Sequence, residues 1–238
     1  MALILVTGAS SGLGYNTAKA LADDGHDVVA HVRNRARLTG AEDTARWKGV
    51  LTGDLADLDQ VREVARQAGG FGHFDAVIHN AGTMRTPEAG TVNTVAPYLL
   101  TALLDKPARL VYLSSSMHRT GSTDLRRLAA GTATYDDDSK LWVTTLALAF
   151  ASRWEGTSSH AVDPGWVPTR MGGPGASDNL TAGHETQAWL AAHHDVTPST
   201  GGYWYHRQTQ PPHPACRDEE FQARLIRTLE NHTGVPLA

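Results

Sequence analysis

Short apolar runs alternate with segments of helical periodicity along most of the chain. The first two runs, ALILV and DVVAHV, flank the segment YNTAKALADDG, in which the apolar spacing is helical up to Gly25. Glycine is the residue that most often ends a helix in the left-handed conformation, so Gly25 marks the end of this one. The order strand, helix, strand predicts a βαβ unit, in which a helical crossover joins two parallel strands.

The same alternation continues towards the C-terminus. The further predicted strands are KGVLTG, DAVIHN, RLVYLS, SSHAVDP and GGYWYHR. The further predicted helices are LDQVREVARQA, TVNTVAPYLLTALL, SKLWVTTLALAFASRW, LTAGHETQAWLAAHH and DEEFQARLIRTLENH, and Pro97 predicts a local kink in the second of these. With right-handed crossovers, this order predicts an α/β fold: one Rossmann-type domain over residues 1–238, with a doubly wound parallel sheet of about seven strands flanked by helices.

Composition and charge narrow the classes of function. The net charge is −4 and no basic block appears, which argues against nucleic acid and membranes as partners. The single cysteine, Cys216, fits a reducing cytoplasm, and the N-terminus shows no signal-peptide pattern. His193 and His194 are adjacent and therefore do not share a helix face, and no HExxH motif occurs, so the sequence predicts no metal site.

A glycine-rich turn, TGASSGLG, follows the first predicted strand and opens the first predicted helix. Gly8, Gly12 and Gly14 allow a tight turn and let backbone N–H groups approach a ligand, because no Cβ stands in the way. The helix N-terminus behind them favours an anion such as a pyrophosphate. The turn therefore predicts a nucleotide site, although glycines also serve plain turns. The same segment also contributes Ser10, Ser11 and Leu13 to the predicted cofactor site.

Five more motifs follow this turn: GDL (53–55), HNAG (79–82), SSS (114–116), SK (139–140) and DPGWVPT (163–169). Their order and spacing resemble those of the short-chain dehydrogenase/reductase family, and the resemblance extends from Val6 to about Tyr205. SSSMHRTG and DSKL are similar to the retinol-dehydrogenase-like branch in particular. The resemblance implies a nicotinamide dinucleotide as cofactor and a small molecule as substrate.

The resemblance also implies roles for residues of the cofactor site. Asp54 would bind the adenine, with Leu55 beside the ring. The residues that would line the cofactor near the adenine ribose are Asn80, Ala81 and Gly82, and those that would meet its nicotinamide side are Pro164, Gly165, Val167 and Thr169. Each position also has a plain structural explanation, such as a helix cap for Asp54 or a turn for Asn80.

At the catalytic end, the resemblance implies three roles. Ser115 would hold the substrate oxygen, and Asn93 would position a water. Lys140 would bind the nicotinamide ribose and favour the ionised form of the catalytic acid. The structural alternative for Lys140 is an ion pair with Asp136 on a helix surface, worth about 0.3–0.5 kcal/mol.

The segment AHVRNRAR, at the end of the second predicted strand, indicates which dinucleotide binds. An acidic residue at this strand end would bind the ribose hydroxyls and repel a 2′-phosphate. Val32 occupies that position, and Arg33, Arg35 and Arg37 follow, whose guanidinium groups suit a phosphate. We therefore expect NADP(H) as cofactor, with Arg33 as phosphate ligand; a solvated basic loop is the alternative.

The stretch TYDDDSK departs from the family, in which a tyrosine lies four positions before the lysine. Here Asp136 has that spacing to Lys140, and Tyr135 lies five positions before it. A helix turns about 100° per residue, so four residues separate two side chains by about 40° and five by about 140°. On a regular helix Asp136 therefore faces the site and Tyr135 does not. Two local distortions could bring the tyrosine back to the site. If the helix begins after Tyr135, the ring could turn inward; a π-bulge near Ser139 would absorb the extra residue.

Three functions remain open at this point. In the first, the protein interconverts a carbonyl and an alcohol on a small or medium apolar substrate, with Tyr135 as the acid. In the second, Asp136 serves as the base of a redox-neutral isomerase, dehydratase or cyclase, because an aspartate beside a cationic lysine stays ionised. In the third, the protein binds a nucleotide and regulates without turnover. The apolar segment LWVTTLALAFA also predicts a subunit interface, and hence a homo-oligomer.

Overall fold

The computed structural model describes residues 1–38 and 44–237, with Arg37 described in its backbone alone. Over these residues the strands form one sheet in the order β3-β2-β1-β4-β5-β6-β7-β8. They are β1 (Leu3–Val6), β2 (Asp27–Val32), β3 (Gly49–Thr52), β4 (Ala76–His79), β5 (Arg109–Leu113), β6 (Ser158–Asp163), β7 (Tyr203–Tyr205) and β8 (Gln208–Gln210). The chain order reverses at β1, between β2 and β4, as in a doubly wound Rossmann-type domain.

The helices cover both faces of this sheet. They are α1 (Gly12–Asp23), α2 (Leu58–Gly69), α3 (Ala96–Leu103), α4 (Arg126–Ala129), α5 (Asp136–Arg153), α6 (Leu180–Ala192) and α7 (Glu219–Thr233). Successive residues of a strand enter opposite cores: Leu5 packs in one, and Ile4 and Val6 pack in the other. The central strands β1 and β4 are therefore apolar along their length, up to His79 at the end of β4, which is typical of a parallel sheet buried on both faces.

The sheet has one more strand than the sequence predicts. The predicted strand GGYWYHR contains β7 and then turns back at His206 and Arg207, so that β8 pairs with β7 in the antiparallel direction. Both turn residues have positive φ, 48° and 61°, as a two-residue hairpin of the favoured hand requires. Asn and Gly are the usual residues of such a turn, and neither marks this one.

The irregularity predicted at Pro97 begins before the proline. Residues Thr91–Val95 form a π-helical turn, and α3 follows with Pro97 as its second residue. In a continuous α-helix the carbonyl of Asn93 would accept from the N–H of residue 97, and proline has none. The distortion therefore coincides with Asn93, one of the predicted site residues.

Helix α5 is buried by its own chain. Every residue from Leu141 to Phe150 is buried, because the helix lies on β5 and β6 and is covered by the C-terminal helix α7 and the turn Pro214–Arg217. The sequence attributes this apolar surface to a contact between subunits. That argument for a homo-oligomer is wrong in its premise, since the partner of the apolar surface is the C-terminal segment of the same chain.

Candidate functional site

The glycine-rich turn joins β1 to α1 at the carboxyl edge of the sheet. Gly8 and Gly12 have φ of +69° and +60°, which favour glycine. Ser11 is the N-cap residue of α1, but its side chain makes no capping hydrogen bond, and the first turn of the helix carries no acidic residue. The helix N-terminus therefore presents N–H groups and positive potential to an anion, which fits the pyrophosphate of a dinucleotide.

Two neighbouring motifs hold this turn in place. A Cβ on Gly8 would lie 2.7 Å from Cα of Ala81, and one on Gly14 would lie 2.3 Å from Nδ2 of Asn80. Asn80 Nδ2 donates 2.9 Å to the carbonyl of Thr7. From the other side, the Thr169 methyl would lie 3.2 Å from a Cβ on Gly12. The HNAG motif and the segment after β6 thus enclose the glycine-rich turn.

Ser10 and Leu13 complete the glycine-rich turn. Ser10 is partly exposed at the turn. The carbonyl of Leu13 accepts 2.9 Å from Thr17, and a Cβ on Gly183 of α6 would lie 3.2 Å from the Leu13 side chain. Leu13 therefore packs α1 on α6, a structural role beside its predicted cofactor contact.

The predicted adenine side lies at the ends of β2 and β3. Leu55 is buried, and Asp54 is partly exposed, with Oδ1 accepting 3.1 Å from the N–H of Ala56. The helix cap of α2 is Asp57, not Asp54. Arg33 follows β2 with its side chain in solvent, and the Arg37 side chain lies outside the described residues.

Lys140 lies at the centre of the predicted catalytic end. Its Nζ donates 2.9 Å to the carbonyl of Leu113 and would lie 3.7 Å from a Cβ on Gly82. Burial lowers the pKa of Lys140 to about 8, and the negative charges of Asp163 and Asp136 oppose that shift. The amine thus lies between the ends of β4, β5 and β6, where parallel α/β sheets bind their ligands.

The Asn93 side chain fastens the strand end beside this lysine. Its Oδ1 accepts 2.8 Å from the N–H of Thr83, and its Nδ2 donates 2.9 Å to the hydroxyl of Ser139 on α5. A Cβ on Gly82 would lie 3.3 Å from Asn93 Oδ1. Asn93 therefore links the loop after β4 to α5, and the structure brings it together with Lys140 and Gly82.

Ser115 lies two residues beyond the carbonyl that Lys140 binds. Its hydroxyl accepts 3.3 Å from the N–H of Met117 and remains partly exposed. The buried His118 supports this turn: Nδ1 lies 2.7 Å from the Ser115 carbonyl, and Nε2 accepts 3.0 Å from the N–H of His213. His118 also packs on the Tyr203 ring, with centroids 4.5 Å apart. Strand β7 and the C-terminal segment thus support the position of Ser115.

Asp163 is a buried carboxylate that the sequence reading treats only as part of a motif. It ends β6, and its two oxygens accept 2.9 Å from the Tyr203 hydroxyl and 2.9 Å from the N–H of Gly165. Of the two negative charges that raise the pKa of Lys140, that of Asp163 has the larger effect. The signal in the sequence was an acidic residue directly before Pro164, at the end of a predicted buried strand.

The segment after Asp163 crosses the open side of the site. Pro164 and Val167 are buried, Gly165 turns with φ +80°, and Thr169 reaches the glycine-rich turn. Trp166, by contrast, is 57% exposed. Its indole Nε1 donates 2.9 Å to the carbonyl of Gly172.

Tyr135 and Asp136 occupy different sides of the start of α5. The helix begins at Asp136, and Tyr135 precedes it with extended backbone angles, φ −79° and ψ 150°. Tyr135 is 62% exposed, whereas Asp136 accepts 3.0 Å from the N–H of Arg85 and acts on Lys140. Residues Asp136–Arg153 are α-helical, so the π-bulge considered near Ser139 does not occur. The structure brings Asp136 to Lys140 and leaves Tyr135 outside.

The other two aspartates of the run also have defined partners. Asp137 accepts from the hydroxyl of Thr120, and Asp138 accepts 2.8 Å from the N–H of Ser122. These partners lie in the loop after β5, and Arg85 lies in the loop after β4. The three acidic side chains therefore fasten both loops that flank the site to the first turn of α5.

Comparison with known proteins identifies the family. The family model for short chain dehydrogenases matches residues 2–101. The short-chain dehydrogenase chyC of Penicillium rubens is 36% identical over 100% of this chain and 99% of its own length. The chain belongs to the short-chain dehydrogenase/reductase family. Retinol dehydrogenase 13 of Mus musculus is a more distant relative of this oxidoreductase, 28% identical over 99% of this chain and 84% of that protein.

Two solved structures superpose on all or most of this short-chain dehydrogenase/reductase. A putative uncharacterized protein from Mycobacterium paratuberculosis has a TM-score of 0.83 at 24% identity, covering 100% of this chain and 95% of that one. The NADPH-bound carbonyl reductase from chicken fatty liver has a TM-score of 0.72 at 21% identity, covering 89% and 99%. These likenesses establish the Rossmann-type fold of this short-chain dehydrogenase/reductase.

The described part of this short-chain dehydrogenase/reductase offers neither a cluster of metal ligands nor a helix fit to span a membrane. In residues 1–38 and 44–237, no three His, Cys, Asp or Glu side chains gather in a group that could hold a metal ion. Within the same part of the chain, no helix has both the length and the apolar character needed to cross a membrane.

Proposed function

We propose that this short-chain dehydrogenase/reductase uses NADP(H) to interconvert a carbonyl and an alcohol on a small or medium apolar substrate. The observation that carries the proposal is the Lys140 amine, held between Leu113 and Gly82 at the carboxyl edge of the sheet. Ser115, two residues after Leu113, would hold the substrate oxygen, and the exposed Trp166 ring would offer an apolar contact to the substrate. Relatives named as short-chain dehydrogenases, and a carbonyl reductase solved with NADPH, support this reading.

Residues of six segments would hold the dinucleotide. The glycine-rich turn from Gly8 to Gly14 would bind the pyrophosphate, and Asp54 and Leu55 would bind the adenine. Arg33, exposed at the end of β2, would bind the 2′-phosphate of NADP(H). The remaining contacts would come from Asn80, Ala81, Gly82, Lys140, Pro164, Gly165, Val167 and Thr169. The bound nicotinamide would supply or accept the hydride.

In this proposal Tyr135 gives the proton to the substrate oxygen after its side chain rotates inward. Because Tyr135 precedes the helix and its backbone is extended, its direction is not set by the helical register. Its outward position is held by Arg127, through a ring contact at 4.6 Å and a hydrogen bond of 3.3 Å in solvent. An exposed contact of this kind is worth about 0.5–1 kcal/mol, which substrate binding readily offsets.

A second candidate function follows from the position of Asp136. Its carboxylate lies on the Lys140 side of α5, where the proposed substrate oxygen would bind. An ionised carboxylate there opposes a developing oxyanion but can remove a proton from carbon next to a carbonyl. On this reading the enzyme is a redox-neutral isomerase, dehydratase or cyclase, and the dinucleotide is a structural ligand.

An activity assay distinguishes these functions. Purified protein is mixed with NADPH and a panel of apolar ketones and aldehydes, and NADPH fluorescence is followed. We expect substrate-dependent loss of NADPH that disappears in Lys140→Met and persists in the surface variant Lys106→Met. A product formed without NADPH consumption, either of unchanged mass or lighter by one water, favours Asp136 chemistry. Bound NADPH with no product of either kind contradicts both proposals and leaves a nucleotide-binding protein.

We also propose that residues 1–238 form a single NADP(H)-binding domain and that the protein acts in the cytoplasm as a homo-oligomer. The buried position of α5 means that self-association would use another surface. Sedimentation at micromolar concentration measures the oligomeric state directly.

A further inference from the structure

His31 lies inside the sheet, next to the glycine-rich turn. It is 2% exposed, near the end of β2, in a run that is otherwise apolar after Asp27. Its Nδ1 accepts 3.3 Å from the N–H of Gly8, and its Nε2 lies 2.9 Å from the carbonyl of Gly53. Its own carbonyl accepts 2.9 Å from the N–H of Ala9. One residue therefore touches the turn after β1 and the turn after β3.

The two contacts require one form of the ring. The carbonyl of Gly53 can only accept, so Nε2 carries the proton, and Nδ1 is then free to accept from Gly8. A doubly protonated ring would place an N–H against the N–H of Gly8. Burial lowers the pKa of His31 and keeps the ring neutral. The negative charge of Asp54 raises this pKa, but by less than burial lowers it.

Gly8 is held from two sides. On one side Ala81 leaves no space, since a Cβ on Gly8 would lie 2.7 Å from the Ala81 Cα. On the other side the N–H of Gly8 is fixed by His31. The position of the turn in front of α1 therefore depends on a side chain that itself contacts no anion. Gly53, the other partner of His31, directly precedes Asp54 on the predicted adenine side.

We propose that His31 is a positioning residue for the dinucleotide: the acceptor Nδ1 of its neutral imidazole fixes the glycine-rich turn through the N–H of Gly8. The proposal rests on the proposed NADP(H) site. It makes the shape of the pyrophosphate cradle depend on one acceptor atom, Nδ1, so that loss of this acceptor weakens the binding of the dinucleotide and leaves the turnover of bound substrate largely unchanged.

Two conservative variants separate the two contacts. In asparagine, Oδ1 is three bonds from Cα, like His Nδ1, so His31→Asn keeps an acceptor for Gly8 and loses the donor to Gly53. In glutamine, Nε2 is four bonds from Cα, like His Nε2, so His31→Gln keeps the donor and loses the acceptor. His31→Ala removes both, and the exposed His73→Asn is the matched control.

The measurement is NADPH affinity by fluorescence titration, together with the unfolding temperature and, where a substrate is available, KM for NADPH against kcat. We expect His31→Gln and His31→Ala to bind NADPH about 3- to 10-fold more weakly, with kcat at saturating NADPH retained, and His31→Asn to bind like the parent protein. If the ring serves packing alone, the larger glutamine is the best replacement. NADPH affinity that is higher in His31→Gln than in His31→Asn therefore overturns the proposal.

Two other outcomes also overturn the inference. If the folded parent protein and all variants bind NADPH equally, His31 does not position the turn, although the proposed cofactor stands. If the parent protein binds no dinucleotide at all, the proposed function fails together with this inference. If His31→Ala does not fold, the order of the asparagine and glutamine variants still decides.

Discussion

Arg127 holds Tyr135 on the outside of the molecule. The guanidinium carbon lies 4.6 Å from the centroid of the phenol ring, and Nη2 donates 3.3 Å to the phenol oxygen. Lys140, five residues further along the chain, points instead into the site, to the carbonyl of Leu113. The tyrosine, which acts together with the lysine in the proposed reduction, is therefore kept outside by Arg127 contacts that are weak and exposed to solvent.

Removal of the Arg127 contact should favour the reactive position of the tyrosine. We expect Arg127→Ala to raise kcat for carbonyl reduction by up to about 5-fold, because a contact worth about 1 kcal/mol no longer opposes the rotation. The neighbouring Arg126→Ala, whose side chain pairs with Asp124, is the control and should leave kcat unchanged. A decrease in kcat for Arg127→Ala would show that the outward position is the working one.

The choice between Tyr135 and Asp136 has a matched pair of variants. With Tyr135 as proton donor, Tyr135→Phe lowers kcat about 10²- to 10⁴-fold, and Asp136→Asn keeps most of the activity. The inverse pattern identifies the carboxylate as the catalytic group. Asp136→Tyr restores the four-residue spacing to Lys140; a gain in ketone reduction would show that Ser115 and Asn93 are correctly placed for it.

Asp163 should set the upper pH limit of the enzyme's activity. Its charge opposes the lowering of the Lys140 pKa, so Asp163→Asn lets that pKa fall further and the ammonium is lost at lower pH. The alkaline limb of the kcat/KM profile should therefore move to lower pH. Tyr203→Phe removes the hydroxyl bound to Asp163 but keeps the carboxylate, and should leave that limb in place. An unmoved limb in Asp163→Asn contradicts the role assigned to Lys140.

Arg33 should distinguish the two dinucleotides. Loss of a charge-assisted bond to a phosphate costs about 1.5–3 kcal/mol, so we expect Arg33→Ala to bind NADPH about 10- to 100-fold more weakly and NADH unchanged. Arg46→Ala, whose side chain pairs with Asp23 instead, is the control. Equal weakening for both dinucleotides, or tighter binding of NADH by the parent protein, would refute the NADP(H) assignment.

Two buried histidines should make the fold sensitive to mild acid. Burial lowers the pKa of His79 to about 3 and that of His160 to about 4, whereas in the unfolded chain both titrate near 6.5. Because the folded pKa values are depressed, the stabilisation is complete above about pH 6.5 and is lost as the pH falls towards the folded values. Each histidine contributes about 1.4 kcal/mol per pH unit to the slope.

Urea unfolding at several pH values measures this slope. His79→Phe keeps the ring stacked on Tyr112 and removes one proton-binding group from the unfolded chain. The free energy of unfolding should then depend less steeply on pH between about 6 and 4.5. The exposed His73→Phe should leave the slope unchanged, and an unchanged slope in His79→Phe would contradict the prediction.

The sequence predicts the order of strands and helices well, because that order depends on local patterns. Apolar runs and the glycine-rich turn locate the first βαβ unit, and the motifs locate Lys140, Asn93 and Ser115 at one edge of the sheet. What the sequence does not show depends on distant partners. The hairpin turn at His206 and Arg207 lacks its usual residues, and the apolar surface of α5 is covered by a helix more than sixty residues later.

Two buried polar residues beside the site, His31 and Asp163, have no role that the sequence pattern indicates. His31 was visible as a polar residue in an apolar strand, but its partners, Gly8 and Gly53, are 23 and 22 residues away. Asp163 was visible only as part of a motif, since its contact with Tyr203 spans 40 residues. Local periodicity identifies such positions as unusual, and only the folded chain shows what each one binds.

The acidic run at the start of α5 sets a constraint on any redesign of the site. Deletion of one aspartate would bring Tyr135 to the family spacing, but each carboxylate is already committed to a different piece of chain, at Arg85, Thr120 and Ser122. A shift of register would place the tyrosine at the family position, but it would break the contact of at least one loop beside the site with α5. A single deletion on the way to a standard reductase would therefore leave one loop less firmly held. A second substitution would then be needed to bind that loop to α5 again.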